Sequence, residues 1–203
     1  MDANPDPGAP RRVPMTPGAR RALDAAAALF YERGIHAVGV DLIAAEAGVT
    51  KKTLYDRFGS KEQIVVEYLA ERDERWREFL APRLDGAATP RERILAVFDA
   101  SRDWSAAHGA RGCSMVNAHA EIDDPAHPAY AIITGQKAWM LDLFADLARA
   151  LLPRAPRRAR RLAEALMLLH EGALVAHGLG ILPDPFGRAR TEAEEKCVAL
   201  TKS

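Results

Sequence analysis

VDLIAAEAGVTKKTLYDRFGSK, running from Val40 to Lys61, is the stretch on which the reading of this chain turns. Its punctuation divides it into three helical segments. Asp41 to Ala47 is rich in good helix formers and offers Leu42, Ile43, Ala45 and Ala47 toward a core, and Gly48 supplies the left-handed residue that ends it. Thr50 is placed to cap the backbone N–H groups of the next helix, with Val49 and Leu54 as a hydrophobic staple that sets its entry angle. In the segment Lys51 to Phe58, Leu54 and Phe58 stand four apart and face a core. Lys51, Lys52, Thr53, Tyr55, Asp56 and Arg57 are left to occupy the rest of the cylinder. Ser60 and Gln63 form a capping box that opens a third helix with Lys61 in its first turn. A cation there opposes the helix macrodipole, so Lys61 is either simply solvated or placed for a nearby phosphate. The whole is a helix-turn-helix, a pattern that DNA-binding modules share with purely structural helix pairs.

Working outward, Thr16 as N-cap, Pro17 at the first helical position and Gly34 as the stop delimit a preceding helix, which carries Leu23, Ala26, Ala27 and Phe30 at helical spacing. Arg11, Arg12, Arg20 and Arg21 lie before it or on its first turns, where they form either a solvated face or an arm that reaches phosphates or a minor groove. The whole chain of 203 residues has no net charge, yet Pro10 to Lys61 holds nine Lys and Arg against five acids, so a basic head precedes an acidic remainder. Residues 1–15 contain four prolines and read as a disordered tail, not as the apolar core of a signal peptide. Downstream, a long helix runs from Lys61 to about Leu80, and Thr89, Pro90 and Glu92 start another that ends near Gly109. Further helices are expected over about Cys113 to Ile122, Tyr130 to Leu152, Arg157 to Leu179 and Phe186 to Thr201. No period-two strand pattern appears, so the chain is all-α with about nine helices.

Phe30, Gly34, Ile43 with Ala44, Ala47 to Val49, Thr53 to Tyr55, Phe58, and Ser60 with Lys61 together resemble the N-terminal domain of the TetR/AcrR family of transcriptional regulators. The resemblance covers about residues 16–65; the rest of the chain matches only in length and helical character. It implies a helix-turn-helix DNA-binding domain over 16–62, followed by an effector-binding and dimerisation domain over 63–203 built as a helical bundle. Lys51, Lys52 and Asp56 are the side chains suited to base edges, because lysine donates to guanine O6 and N7 and a carboxylate accepts from cytosine N4. Thr53, Tyr55, Arg57 and Lys61 suit phosphate, with Thr50 at the helix start, and the resemblance supports Tyr55 and Lys61 best. One departure stands out. Where the family often has a phosphate-touching threonine this chain has Val40, and Asp41 replaces a basic or polar residue, so Asp41 is read as a helix cap.

In the remainder, the helix expected over Arg157 to Leu179 is apolar on more than one side, and Gly172, Ala176 and Gly180 repeat every four residues. It reads, together with the last helix (186–201), as a homodimer interface, the other reading being the central helix of a monomer. A two-fold dimer implies a near-palindromic operator with recognition helices about 34 Å apart. Trp104, His108, Asn117, His119, Trp139, Phe144, Met167 and His170 fall on apolar helix faces and are the candidates for a small organic effector, each of them equally a core residue. No cofactor is implied. Histidine spacing offers no HxxxH or HExxH pattern, so no metal site is expected. Cys113, after Arg111 and Gly112, is either a structural thiol or a sensor of electrophiles or oxidants. Neither GxSxG, P-loop nor GxGxxG occurs, which argues against an enzyme. No apolar run of membrane-spanning length is apparent. The sequence thus points to a cytoplasmic, ligand-responsive regulator, a repressor released from its operator by an effector. The alternative is a helical ligand-binding or Cys113-based sensing protein with another output, such as activation.

Overall fold

Thr16, Thr50 and Thr89 fix three helix starts in the same way. Each sits in extended backbone, and its hydroxyl accepts the N–H three residues on: Ala19 at 3.3 Å, Thr53 at 3.1 Å and Glu92 at 3.2 Å. At Thr89 the Glu92 carboxylate also accepts the Thr89 N–H at 2.9 Å, closing the capping box. The computed structural model describes residues 10, 12–109 and 111–202. Among them the regular elements are all helical: α1 (Pro17–Arg33), α2 (Val40–Glu46), α3 (Lys51–Phe58), α4 (Lys61–Asp85), α5 (Pro90–His108), α6 (Ser114–Glu121), α7 (Ala129–Leu151), α8 (Pro156–Leu179) and α9 (Pro185–Thr201). Of the expected tail over 1–15, residues 1–9 and 11 lie outside the described residues.

Two compact units divide the chain. The first takes the residues up to Asp73 together with 114–136; the second takes 74–113 and 137–203. The head helices α1, α2 and α3 thus share a unit with the first half of α4, with α6 and with the start of α7. In it, α1, α2 and α3 pack on one another, with Leu23, Ile43, Leu54 and Ile64 fully buried and the Phe30 and Tyr68 rings 5.8 Å apart. The second unit is a bundle in which α9 packs against both α5 and α8. Its core gathers Leu80, Ile94, Phe98, Met140, Phe144, Leu162 and Leu166.

Several boundaries and faces differ from expectation. Helix α4 does not stop near Leu80 but runs through Pro82 to Asp85. The proline removes one backbone donor close to the end of the helix, and the chain recovers with Gly86 N–H to Pro82 O at 3.1 Å and the Arg83 guanidinium to Phe79 O at 2.7 Å. In α2 the buried alanine is Ala44, whereas Ala45 is exposed, because the face packed inward is the one shared by Ile43, Ala44 and Ala47, positions three and four apart. Helix α8 is, by length and composition, long and apolar enough to cross a membrane. Burial accounts for only one side of it: Leu162, Leu166 and Ala173 enter the core, while Leu168, Val175 and Leu179 stay exposed.

Candidate functional site

Helix α3 begins where Thr50 leaves extended backbone and ends where Gly59, at φ 79°, donates its N–H to Tyr55 O at 2.9 Å. Leu54 and Phe58 anchor it, each burial stabilising the head by about 2 kcal/mol. Lys51, Lys52, Thr53, Tyr55, Asp56 and Arg57 are all exposed, so the helix presents three cations, a phenol, a hydroxyl and a carboxylate on one projecting surface. The Thr50 and Thr53 hydroxyls lie 2.8 Å apart. Lys61 is half-buried at the start of α4, next to Glu62. The Glu62 backbone N–H and the Ser60 hydroxyl hold the Glu62 carboxyl below its ordinary value, and this supplies the negative charge that a helix start favours. Ser60 accepts the Gln63 N–H at 3.2 Å.

Asp41 is not the cap of α2. That position belongs to Gly39, and Asp41 sits in the first turn, where its carboxylate accepts from the Lys51 ammonium at 3.0 Å. The hydrogen bond that Lys51 donates to Asp41 raises Lys51 above the usual lysine value, so in the protein alone Lys51 is engaged within the head. The N-terminal arginines are engaged as well. Arg11 lies outside the described residues, but Arg12 Nε reaches Glu67 at 2.8 Å, Arg20 pairs with Glu71, and Arg21 Nε donates to Ala47 O at 3.4 Å. Glu67 is fully buried and also accepts from Val13 N–H at 2.6 Å and from the Gln63 amide at 3.1 Å. A carboxyl group buried to this degree needs hydrogen-bond partners of this kind. The available signal was an acid inside the apolar run Ile64 to Ala70. A second acid that sequence reading missed, Glu121 on α6, accepts the His36 N–H at 2.8 Å and lies against Gly34, holding the turn between α1 and α2.

The eight effector candidates do not form one cluster. Asn117 and His119 are on α6 in the first unit, His119 exposed and 3.0 Å from the Tyr130 hydroxyl. The other six belong to the second unit. Trp104 and His108 stack with ring centroids 3.8 Å apart, and Phe79 meets Trp104 edge-on at 5.2 Å. Trp139 carries the Arg77 guanidinium on its face at 4.1 Å, and Met167 is half-buried. Phe144 is wholly enclosed between Phe98 at 6.0 Å and His170 at 5.9 Å. Next to His170 is a polar group that the sequence did not join: Lys137 Nζ lies 2.8 Å from both Glu171 oxygens and 3.2 Å from Cys113 Sγ. Burial would lower the Lys137 ammonium, but the Cys113 sulfur and the Glu171 carboxylate outweigh it and hold it raised. Burial likewise would raise Glu171, but His170 and Lys137 bring it down to about 2. Among the described residues no three His, Cys, Asp or Glu side chains gather as metal ligands would.

Comparison with known proteins bears on these surfaces. The sequence model of bacterial regulatory proteins, tetR family, matches residues 22–68. The transcriptional activator FasR of Mycolicibacterium smegmatis is 29% identical over 114 residues, 56% of this chain and 52% of FasR. The transcriptional repressor KstR2 of Rhodococcus jostii is 39% identical over 82 residues, 38% of this chain and 40% of KstR2. The chain thus spans about half the length of the curated relatives it matches. Over nearly its whole length it is similar to the crystal structure of a TetR-family transcriptional regulator from Streptomyces coelicolor, with a TM-score of 0.79 and 29% identity over 91% of this chain and 94% of that one.

Proposed function

The chain belongs to the TetR family of bacterial regulatory proteins, and on that premise we propose that it is a sequence-specific repressor which a small organic effector releases from a palindromic operator. The carrying observation is α3: an eight-residue helix, capped at both ends and anchored by two buried side chains, whose six other residues all face outward. Lys52 and Asp56 are assigned to base edges. Lys51 joins them by exchanging Asp41 for DNA, while Thr50, Thr53, Tyr55, Arg57 and Lys61 take phosphates. Arg12 is assigned to holding the head through Glu67. The site of action is the cytoplasm, and the protein acts by binding, not by catalysis.

A second copy of the chain supplies the other half of the operator contact. Support comes from α8, where Leu168, Val175 and Leu179 recur at helical spacing and Leu168 is 75% exposed and Leu179 69% exposed, an arrangement that a lone helix in water disfavours. The outward residues of α9, among them Arg188, Glu192, Glu195 and Lys196, give that interface a polar margin. The six effector candidates of the second unit, Trp104 through His170, line the proposed ligand site, and Asn117 and His119 are assigned to α6 as it responds. Helix α4 belongs to both units, so a ligand that favours another α4 position in the body acts on the head. Moving the population from 99:1 to 1:99 takes roughly 5.5 kcal/mol of differential affinity, shared between the two sites of a dimer.

Footprinting of the DNA around its own gene at low salt tests this reading. Wild-type protein protects a near-palindromic segment. Tyr55→Ala and Lys61→Ala each lower affinity about ten-fold, about 1.4 kcal/mol, with melting temperature unchanged. A protein that protects no such segment, or variants that bind as wild type does, would overturn it.

A further inference from the structure

Between Asp146 and Glu164 the chain holds six arginines, Arg149, Arg154, Arg157, Arg158, Arg160 and Arg161, and no acid, although over its whole length 28 acids balance 28 bases. The run lies at one end of the second unit, where α7 finishes, the chain turns through Pro153 and α8 begins. Arg158 donates to Leu200 O at 3.2 Å, so the last turns of α9 stand at the same end. One turn before Leu200, burial pushes the Cys197 thiol up to about 11, and Arg91 on the first turn of α5 is near enough to pull against it. Arg91 is thus a further cation at this end. Glu92 beside it is turned back on the Ala88 and Thr89 N–H groups at 3.0 and 2.9 Å.

Little within the fold offsets this charge. Arg149 pairs with Asp146, and Arg160 with Glu164 at 2.8 Å, which engages the two acids that bracket the run. Arg154, Arg157 and Arg161 are exposed and make no ion pair among the described residues. The first turn of α8 carries no acid, so its arginines meet the positive end of the helix macrodipole. Arg157 and Arg161 are also four apart on one helix, about 6 Å of rise, where like charges repel. Both effects oppose the folded state, and an anion laid across the arginines reverses both. The charge extends over the end of α7, a connection and two turns of α8, more than one small anion covers. Among the described residues no exposed large apolar side chain lies between Asp146 and Glu164, which leaves a membrane nothing to take up and a protein partner no apolar centre to bury. Phosphates on a backbone need neither, and the guanidinium fork matches them.

We propose that this arginine end of the second unit is a second DNA site, which holds the phosphates of duplex DNA without regard to sequence and separately from α3. Arg154, Arg157 and Arg161, which have no ion pair to give up, make the direct phosphate contacts; Arg149, Arg158 and Arg160 add to the field around them. Duplex DNA is the polyanion of choice because a regulator of this kind is already gathered on it, and that choice rests on the regulator reading. The phosphates belong either to the DNA flanking the operator or to a second duplex, in which case the protein bridges two segments.

Fluorescence anisotropy of a non-operator duplex with the full chain, over a range of salt, tests this. Arg154→Gln, Arg157→Gln and Arg161→Gln together lower affinity at low salt at least ten-fold. They also flatten the slope of log K against log salt by about 2.7, since three lost contacts each carry about 0.9. Arginine to lysine at the same three positions keeps the charge and the slope. Arg161→Gln alone flattens the slope by about 0.9, a reading that does not depend on how the triple variant folds. The same losses appear when Tyr55→Ala and Lys61→Ala are already present. A triple Gln variant with wild-type helical content and an unchanged slope overturns the proposal. So does a variant that loses binding to poly-L-glutamate and keeps binding to DNA, which would give the surface to an acidic protein. Capture of a labelled non-operator duplex by operator duplex on beads, lost in the triple Gln variant, identifies a second duplex. Tighter binding of an operator with flanking DNA than of the operator alone, lost in the same variant, identifies the flanks; absence of both effects also overturns the proposal. If the protein protects no operator yet binds duplex through these arginines, the regulator reading falls and the phosphate site stands.

Discussion

Helices α3 and α8 invert one another. Helix α3 buries Leu54 and Phe58 and turns its charges to solvent; α8 encloses His170, half-buries Glu171 and turns Leu168, Val175 and Leu179 outward. A solvated polar face needs no partner to be stable, so on the proposed reading the surface of α3 is there for the recognition of DNA. An exposed apolar stripe is stable only when covered, and an enclosed ion pair is stable only when its partners are all in place. On the proposed reading the polar surface of α3 meets its ligand as it stands, while the exposed stripe of α8 is covered by a second copy.

Acid breaks this inversion from the inside of α8. The Glu171 carboxyl, held at about 2 against an ordinary 4.5, has its folded value depressed. Its contribution to stability is thus fully present above about pH 4.5 and is lost as pH falls toward 2. Its size is about 3 kcal/mol, because each tenfold change in proton affinity between the folded and unfolded chain corresponds to about 1.4 kcal/mol. Denaturant unfolding at a series of pH values gives a wild-type curve that drops between pH 5 and 2 more steeply than that of Glu171→Gln. Parallel curves would mean that the pair contributes nothing.

How much of this was legible in the sequence follows the same division. The limits of α3 could be read because Thr50 and Gly59 act on their own neighbours, and those of α8 because Pro156 and Gly180 do. Pairings made by folding could not. Lys137 finds Glu171 across 34 residues and Cys113 across 24, and Arg12 finds Glu67 across 55; no local spacing announces such contacts. Which alanine of α2 turns inward was also hidden, since Ala44 and Ala45 have the same side chain and only packing against α1 and α3 decides between them.

On the outer face of α8 the comparison sharpens on the apolar stripe. If a second copy covers it, Leu168→Asp with Leu179→Asp places two charges in the interface and weakens dimerisation at least hundred-fold, about 2.7 kcal/mol. Sedimentation of wild type as a dimer and of the variant as a monomer, each with the same helical content by circular dichroism, is the expected pair of results. Half-operator affinity survives in the variant while full-operator affinity falls, because α3 is untouched. A wild-type protein that sediments as a monomer at micromolar concentration would leave the stripe without the second copy assigned to it.

The smallest effect is the most discriminating, because it removes the same group from both regions. Thr50 and Thr89 each accept one N–H at a helix start, so Thr50→Ala and Thr89→Ala each cost about 1 kcal/mol of stability. For α5 the loss ends there, since its cap is remote from α3 in sequence and serves only the bundle. For α3 the hydroxyl also meets Thr53 at 2.8 Å and fixes the first turn, where Lys51 and Lys52 stand. Thr50→Ala therefore lowers operator affinity several-fold beyond its effect on melting, whereas Thr89→Ala leaves affinity at the wild-type value. Equal loss of affinity in both variants would show that binding follows global stability and that α3 has no special standing as the recognition surface.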